Sequence, residues 1–509
     1  MPTTMLERFD ITHFTLLVVG VVSGHLLFRK LRTNKLLPLP PGPPSYPLIG
    51  QLLSIPQSSE ERAFVSLSAE LKSDIISLSF LGTTIVVLNS VEAANDLLEK
   101  RPNIYSGRFC PPMISSPGLI DLQGFLAFTD SNNTWRKQRR AMNAYLNKQS
   151  VVKFRASQEL QARKLLQRLL HLSGELESSD VLDQEFYRAV SSVFLDSVYG
   201  YELKTTNDQF LIDNMVLNHN LAQAILPSNF LVNVLPWLEY VPEWFPGAHW
   251  KVVAREWREQ KNRAMNGIYN WAKQNIDRGA DDYSVIASSL EDAQKLGWSQ
   301  AEADSFSKNL GTGLYAAMAL YPEVQAKAQQ EIDTVVGSER LPTVEDRQNL
   351  PYIERILMEV LRWQPSTPLG VPHVCVEDNE YRGYRIPKGA ITIAFMHSDR
   401  AATRNENTFK DADRFDPDRY LDPAVTLPPV FGWGIRICPG QHFFREMFFI
   451  EVVLMLATFN IEKLKGEDGQ EIEPIIKPAE NSAAYRPATF KVKLSPRSEL
   501  HADLIRGAA

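Results

Sequence analysis

One ten-residue stretch near the C-terminus constrains this chain more than any other feature. It reads FGWGIRICPG, from Phe431 to Gly440, and it places Cys438 among three glycines and an arginine. An apolar run follows, which predicts a buried helix whose free N–H groups and dipole stabilise a thiolate rather than a thiol. The other two cysteines, Cys110 and Cys375, have no such setting. We therefore predict that the Cys438 sulfur is accessible to a bound molecule.

The neighbours of Cys438 indicate what that partner is. Gly432, Gly434 and Gly440 allow the backbone to turn sharply and to approach a large flat molecule. Arg436, two residues before the sulfur, can pair with an anionic group on that molecule. A thiolate open on one side, with a cation nearby, suits axial ligation of haem iron. The alternative, a buried inert cysteine, is common for lone cysteines but explains neither the glycines nor the arginine.

The composition fits a large globular enzyme. With 44% hydrophobic and 22% charged residues, the chain can bury a substantial core. The net charge of -6 gives no basic footprint, so we expect no nucleic-acid partner. Three cysteines cannot form a disulfide framework, which favours a thiol kept reduced on the cytosolic side of a membrane.

The N-terminus predicts a membrane anchor within residues 1–29. Its apolar run, FTLLVVGVVSGHLLF, is followed by Arg29, Lys30, Arg32 and Lys35. The positive-inside rule keeps the basic end and the rest of the chain in the cytosol. A cleaved signal peptide is an alternative because the run is shorter than the ~20 residues of a typical span. A buried globular helix is a further alternative, but the run is not amphipathic.

The remaining chain divides into a hinge and one large domain. Residues 30–50 are basic and then rich in proline, which predicts a stiff, extended spacer. Residues 51–509 contain no second linker or repeat, and we treat them as one domain that is mainly α with small β-sheets. The pattern predicts a hairpin over Ile75–Leu88, a strand over Tyr381–Ile386, and helices over Lys153–Leu172, Trp250–Arg278 and Tyr321–Val336.

Three further motifs carry information when they are taken together with Cys438. Glu359 and Arg362 lie three residues apart on one predicted helix face, and FDPDRYL with Arg419 follows them. TWRKQRRAM places Trp135 and Arg139 one helical turn apart, and PSTPLGVPHV contains His373. Each motif alone has an ordinary alternative, such as a surface ion pair or an amphipathic surface helix. A zinc site at His373 lacks other ligands at suitable spacing.

In this combination and order, the motifs resemble those of the cytochrome P450 family. The resemblance covers roughly Pro38 to Leu494 and is closest to fungal microsomal members of secondary metabolism. It implies a haem domain that binds haem b, with Cys438 as the axial ligand. It also implies that Glu359, Arg362 and Arg419 form a buried structural network beneath the haem. The other residues it assigns to haem binding are Phe431, Gly432, Arg436, Trp135, Arg139 and His373.

The resemblance also implies a function and partners. The expected activity is insertion of one oxygen atom into a lipophilic small molecule, with electrons from NADPH passed through a membrane-bound reductase. Arg136, Lys137, Arg140 and Arg445 would form a basic patch for that reductase. The substrate would meet Ser106–Phe125 and Val234–Trp250, and the latter segment is apolar enough to dip into the membrane. The expected location is the endoplasmic reticulum membrane, crossed once, with the catalytic domain cytosolic.

One departure from the family pattern affects the function. The family's oxygen-activating motif, Ala/Gly-Gly-x-Asp/Glu-Thr, should lie between SKNLGTGLY and AAMALYPEV, and nothing lies there. We predict a missing stretch of about four helical turns after Tyr315, although Ala303–Asp304–Ser305 offers an imperfect substitute. The alternative function is therefore a haem–thiolate protein deficient in oxygen activation, either isomerase-like or dehydratase-like, or a non-catalytic haem binder. The substrate and the pathway do not follow from the sequence.

Overall fold

The structure is a computed structural model that describes most of the chain from Leu36 onward. The described residues are 36–56, 60–176, 178–205, 207–279, 284–285, 317–395, 403–406, 408–474, 483 and 487–508. The predicted anchor (1–29), residues 30–35 of the hinge, and the segment expected to contain the oxygen-activating motif (286–316) lie outside them. Within the described ranges, no helix is long and apolar enough to span a bilayer.

Helices dominate the described residues, as the sequence predicts. The longer helices are α1 (Glu60–Leu71), α5 (Asn133–Leu146), α6 (Arg155–His171), α7 (Asp180–Tyr199), α8 (Gln209–Ala224), α9 (Trp250–Asp277), α10 (Pro322–Val335), α11 (Pro351–Trp363), α12 (Gln441–Thr458) and α13 (Glu499–Arg506). Single turns form α2 (Val91–Ala94), α3 (Pro102–Tyr105) and α4 (Pro112–Ser115). The three helices that the sequence predicts by range correspond to α6, α9 and α10, and no end differs by more than two residues.

The strands are short and belong to three small sheets. They are β1 (Ile75–Phe80), β2 (Thr83–Leu88), β3 (Gly107–Arg108), β4 (Gly174–Leu176), β5 (His373–Val374), β6 (Asn379–Tyr381), β7 (Tyr384–Ile386), β8 (Ile391–Ala394), β9 (Phe459–Glu462) and β10 (Val492–Pro496). The strand orders are β1-β2-β8-β5-β3, β4-β10-β9 and β6-β7. Within them β2 and β8 pair in parallel, and the other pairs are antiparallel.

The sheets confirm one predicted hairpin and correct a predicted strand. Ile75 pairs with Leu88 and Phe80 with Thr83, so the Ile75–Leu88 hairpin is confirmed. The single strand predicted over Tyr381–Ile386 is wrong, because β6 and β7 are the two arms of a separate hairpin. Arg382 and Gly383 between them have φ of 49° and 78°, which is the backbone of a tight two-residue turn.

Helix α12 lies at the centre of the main hydrophobic core. Its residues from Met447 to Thr458 are all buried, because nearly every face of the sequence MFFIEVVLMLAT is apolar. Helix α6 packs along it, and α10 and α11 contact it from other directions. The helix predicted after Cys438 is therefore confirmed, and its N-terminus lies three residues beyond the sulfur.

Glu359, Arg362 and Arg419 form the buried network that the resemblance implies. Both oxygens of Glu359 accept hydrogen bonds from Arg362 at 2.7 Å, and Oε1 also accepts from Arg419 Nε at 3.0 Å. Arg362 Nη1 donates to the carbonyls of Thr403 and Ala412 at 2.8 Å. Glu359 and Arg362 have no exposed surface. The network therefore fastens α11 to the segment that leads toward the Cys438 loop.

The described part of the hinge lies against the domain. The carbonyl of Pro41 accepts a hydrogen bond from the N–H of Ser77 in β1 at 2.8 Å, and the carbonyl of Pro38 accepts one from Arg385 in β7. An added Cβ at Gly42 would lie 2.3 Å from the Ser77 carbonyl oxygen. The proline-rich segment is thus held along β1 and cannot swing freely from the domain.

Candidate haem site

All seven residues that the sequence assigns to haem binding line one cavity. The cavity has a volume of about 230 Å³. The assigned residues on its wall are Cys438, Arg436, Phe431, Gly432, Trp135, Arg139 and His373. Most of the remaining lining is apolar and comes from residues 125–128, from α8 and from Leu369 and Val430. The fold therefore brings together residues as far apart in sequence as Trp135 and Cys438.

Backbone hydrogen bonds fix the position of Cys438. Its N–H donates to the carbonyl of Phe431 at 2.7 Å, which closes the loop on itself. A 3-10 turn spans Gly434–Arg436, and α12 begins at Gln441. The Cys438 side chain is only partly buried and lies on the cavity wall. Its thiol therefore faces space that a bound group can occupy, near the positive end of a long helix.

The three glycines of this loop have different structural roles. Gly432 and Gly434 have φ of 88° and 52°, which favours glycine, whereas Gly440 does not have a left-handed backbone. An added Cβ at Gly434 would lie 2.9 Å from the carbonyl oxygen of Leu98. At Gly440 the nearest atom would be Cys438 Sγ at 3.8 Å, an ordinary contact. Gly434 therefore serves the packing of the loop on residues 95–99, a role that the sequence pattern does not reveal.

Arg436 holds two segments of the cavity wall. Its Nε donates to the carbonyl of Ser106 and its Nη2 to the carbonyl of Thr129, both at 2.8 Å. Its guanidinium also lies 4.3 Å from the ring centre of Trp135, a cation–π distance. Burial, and to a smaller extent the charge of Arg139, lower the pKa of Arg436 to about 10, while Asp130 acts in the opposite direction. An anion bound in the cavity would relieve that electrostatic cost.

His373 lies on β5, and its imidazole is buried. Nδ1 is 2.6 Å from the carbonyl oxygen of Tyr105, so this nitrogen carries the proton and donates. Burial, with the charges of Arg108 and Arg436, holds the pKa of His373 well below its usual range. The ring is therefore neutral at pH 7, and with the proton on Nδ1 its Nε2 is an acceptor.

These residues fit haem. The described lining of the cavity contains three arginines and a histidine but no carboxylate. Haem is a flat, largely apolar molecule with two acidic side chains, and it needs an apolar slot with cations at one edge. Arg108, Arg139 and Arg436 would supply those cations, and Cys438 would supply a thiolate for the iron. The individual contacts with haem stay predictions, whereas the convergence of their side chains is a feature of the fold.

Arg108 and Asn218 are polar residues of the cavity wall that the sequence analysis did not name. Arg108 donates from Nη1 to the carbonyl of Val371 and lies beside His373 in the paired strands β3 and β5. Asn218 of α8 lies on the wall and donates to the Tyr187 hydroxyl at 3.2 Å. Arg108 falls inside Ser106–Phe125, the segment predicted to meet the substrate, which was the available signal. Asn218 has no motif around it.

Three residues of the predicted basic patch are exposed, and the fourth is packed against the Cys438 loop. Arg136, Lys137 and Arg140 are exposed on α5. Arg445 is instead half-buried, with its guanidinium 5.4 Å from the ring centre of Phe431. Burial lowers the pKa of Arg445. The exposed members of the patch are therefore the three cations on α5, and Arg445 belongs mainly to the support of the Cys438 loop.

Comparison with known proteins agrees with this geometry. The family model "Cytochrome P450" matches residues 40–492. Cytochrome P450 monooxygenase 98 of Postia placenta is 34% identical over 98% of this chain and 98% of its own length. Cytochrome P450 monooxygenase claR of Ampulloclitocybe clavipes is 32% identical over 98% and 93%, and cytochrome P450 monooxygenase CLM2 of Gibberella zeae is 31% identical over 96% and 96%.

The first of these alignments also bears on the length of the chain. It runs over 523 positions, which exceeds the 509 residues present here, so the Postia protein contains residues that this chain lacks. The matched family, the fold and the Cys438 cavity all lead to the same assignment. The chain belongs to the cytochrome P450 family and is a P450-type monooxygenase built around a haem–thiolate iron centre.

Proposed function

We propose that this enzyme inserts one oxygen atom from O2 into a lipophilic small molecule of fungal secondary metabolism. The observation that carries the proposal is the cavity in which Cys438 faces largely apolar walls and a group of three arginines. The fungal relatives named as cytochrome P450 monooxygenases support it. The apolar residues of α8 and of positions 125–128 favour a substrate that is itself apolar.

Some residues of the site would hold the cofactor, and others would shape the part of the cavity that the substrate occupies. When bound, haem supplies the activation of dioxygen that oxygen insertion requires. The Cys438 thiolate would hold the iron and donate electron density to it. Arg139 and Arg436 would bind the acidic edge of the cofactor, and neutral His373 would lie at the same edge with its Nε2 as an acceptor. Leu221 of α8 and Ile225, the residue just after that helix, would exclude water and orient the substrate.

We propose NADPH as the electron source, through a membrane-bound flavin-containing reductase. Arg136, Lys137 and Arg140 lie exposed on α5, the helix that also carries Trp135 and Arg139 to the cavity. An acidic partner attracted to these cations would dock close to the haem. The acidic balance of the whole chain would not prevent this, because steering depends on the local field.

We propose a single-pass location in the endoplasmic reticulum membrane, with residues 1–29 as the anchor. The segment 231–245, here called the aromatic segment, supports a second contact with lipid. Its exposed apolar side chains are Leu231, Trp237, Tyr240, Trp244 and Phe245. Trp and Tyr are favoured at the boundary between lipid and water. The domain would thus rest with this segment against the bilayer.

Replacement of Cys438 tests the proposed iron ligand. We expect the reduced full-length protein with carbon monoxide to show the red-shifted Soret band of a haem–thiolate centre. Cys438→His should move the band to the position typical of imidazole ligation. Cys110→Ser and Cys375→Ser serve as controls and should leave the band unchanged. A thiolate band that persists in Cys438→His would refute the assignment.

The alternative, a haem–thiolate protein deficient in oxygen activation, rests on the missing family motif. In the sequence nothing stands between Tyr315 and Ala316, where the resemblance places that motif. Insertion of a family-like segment with Gly-x-Asp-Thr at this point should raise substrate oxidation per NADPH consumed if oxygen activation is deficient. If the unmodified enzyme already oxidises its substrate efficiently per NADPH consumed, the alternative is excluded. Asp304 and Ser305 would then be the residues to replace, as the imperfect substitute for the motif.

A further inference from the structure

Asn218 is a polar residue of the Cys438 cavity that the haem assignments do not use. The seven residues assigned to haem lie on α5, on β5 and in the Cys438 loop. Helix α8 contributes none of them and instead lines the cavity with Asn218, Leu221 and Ala222. Asn218 therefore places an amide beside apolar residues, on the part of the wall that we assign to the substrate.

Hydrogen bonds hold one end of the Asn218 amide against α7. Its Nδ2 donates to the hydroxyl of the buried Tyr187 at 3.2 Å. Asn214, one helical turn earlier on α8, donates to the same hydroxyl from its own Nδ2 at 2.8 Å. Two N–H groups thus converge on one oxygen, which has two lone pairs to receive them. This arrangement turns the nitrogen of Asn218 toward α7 and leaves its oxygen at the opposite end of the amide.

That opposite end is a buried acceptor that no described residue engages. Asn218 is only 9% exposed, and no group in the described part of the chain donates a hydrogen bond to its Oδ1. A buried acceptor without a donor destabilises the fold, because it loses the hydrogen bond that water gives it in the unfolded chain. Since Asn218 lies on the cavity wall, a bound molecule can provide the donor.

The charges of the cavity limit the kind of donor. Its described lining carries three arginines and a histidine but no carboxylate. An ammonium group would lose its water of hydration there without a carboxylate of the protein to pair with. A hydroxyl is neutral, so it loses much less on leaving water, and it has one hydrogen to donate. A hydroxyl on an otherwise apolar molecule therefore fits both Oδ1 and the apolar wall beside it.

We propose that Oδ1 of Asn218 accepts a hydrogen bond from a hydroxyl group of the substrate, so that the enzyme favours lipophilic alcohols. The proposal rests on the function proposed above and narrows its substrate class from lipophilic molecules in general to those with a hydroxyl group. It makes Asn218 a residue that determines specificity by contact with the bound substrate. Because the contact is made in the cavity itself, it contributes to the affinity measured at equilibrium.

Three probes with the same ring test this contact. Cyclooctanol can donate a hydrogen bond, cyclooctanone can only accept one, and cyclooctane can do neither. Each probe is titrated into the full-length haem protein, and binding is followed by the change in the Soret band. Water solvates the probes differently, so the measure is the ratio of the cyclooctanol affinity to the cyclooctanone affinity, compared between protein variants.

Three variants separate the hydrogen bond from the packing of α8. Asn218→Leu replaces the amide by an apolar group of the same branching, and we expect the ratio to fall by about three- to tenfold, the effect of one neutral hydrogen bond. Asn218→Asp keeps an acceptor oxygen and should hold the ratio within about twofold of the unmodified protein. Asn214→Leu is the matched control, because it also removes a bond to Tyr187 but does not line the cavity, and it should leave the ratio unchanged.

Other results would overturn the proposal. An equal loss of affinity for all three probes in Asn218→Leu would show that the amide acts only through the packing of α8 on α7. An unchanged ratio in Asn218→Leu would show that the hydroxyl binds another group, such as the haem iron. A ratio that rises would show that the amide donates to cyclooctanone instead, and failure of cyclooctanol to bind would leave the hydroxyl without a site. The carbon monoxide band does not depend on Asn218, so it tests the proposed function separately.

Discussion

His373 and Arg436 face the same cavity, but burial affects them differently. Arg436 keeps its charge because its lowered pKa of about 10 still lies well above neutrality. His373 loses its charge because its pKa is held well below the usual value near 6.5. The site therefore presents arginine charges and one neutral imidazole to the proposed cofactor. This difference in charge between Arg436 and His373 could not be inferred from the sequence, in which both residues appear as potential cations.

The neutral His373 predicts a loss of stability in acid. Below about pH 6.5 the unfolded chain binds a proton at this residue and the folded chain does not, so the free energy of unfolding falls as the pH falls. One such group contributes a slope of up to about 1.4 kcal/mol per pH unit. His373→Gln should flatten the decline between pH 6.5 and 5.5 in urea unfolding of the haem protein.

The comparison isolates His373 from other histidines. His442 and His501 also have pKa values lowered by burial, so they add to the decline in the unmodified protein and in the variant alike. The difference between the two pH profiles therefore belongs to His373. Parallel profiles would show that its ring titrates equally in the folded and unfolded chains.

The glycines of the Cys438 loop give a second test at single residues. Gly434→Ala should cost at least about 1–2 kcal/mol, because alanine resists a positive φ, and its Cβ would collide with the Leu98 carbonyl. Gly440→Ala is the matched control, since its backbone and surroundings accept a Cβ. Thermal unfolding and haem content measure both variants. If Gly440→Ala were the more damaging change, bound haem rather than the contact with Leu98 would set the need for glycine.

At the scale of elements, the buried network on α11 should contribute strongly to stability. Glu359→Gln removes the charge that Arg362 and Arg419 share, and breaking one partner of a buried pair costs about 3–5 kcal/mol. Glu354→Gln, on the same helix, breaks a part-exposed pair with Arg347 and should cost less than about 1 kcal/mol. Urea unfolding measures both. Similar costs for the two variants would show that burial adds nothing to the Glu359 pair.

The elements predicted correctly are those whose own sequence determines them. Helix α12 is apolar on almost every face, and the hairpin of β1 and β2 has β-rich arms around Leu81 and Gly82. Strands β3 and β5 are two residues long and exist only because they pair with each other and with β8. Their patterns are too short for a prediction. The hairpin of β6 and β7 was missed, although Gly383 marked its turn.

At the scale of the whole molecule, the motifs predicted the residues of the cavity but not all of its walls. Cys438, Trp135, Arg139 and His373 belong to recognisable patterns, and the fold places them together. Asn218 could not be found in the same way, because its place on the wall depends on a cavity formed by segments far apart in sequence.

The membrane contacts can be separated by stepwise removal. Deletion of Met1 to Phe28 should shift the protein toward the soluble fraction but leave part of it on membranes, because the aromatic segment still contacts lipid. Replacement of Trp237 and Trp244 by serine in the deleted form should release most of the remainder, as measured by flotation with lipid vesicles. Secretion of a shortened chain from the full-length gene would show instead that residues 1–29 are a signal peptide.

The parallel pairing of β2 with β8 joins residues 85–88 to residues 391–394. Since a ribosome releases the chain from its N-terminus, the first hairpin must wait for its parallel neighbour until most of the polypeptide has been made. The sulfur at Cys438 emerges later still, followed by the helix that supports it. Cofactor loading must therefore come after synthesis is nearly complete, and a nascent chain stalled before residue 391 would depend on chaperones to shield its unpaired edge.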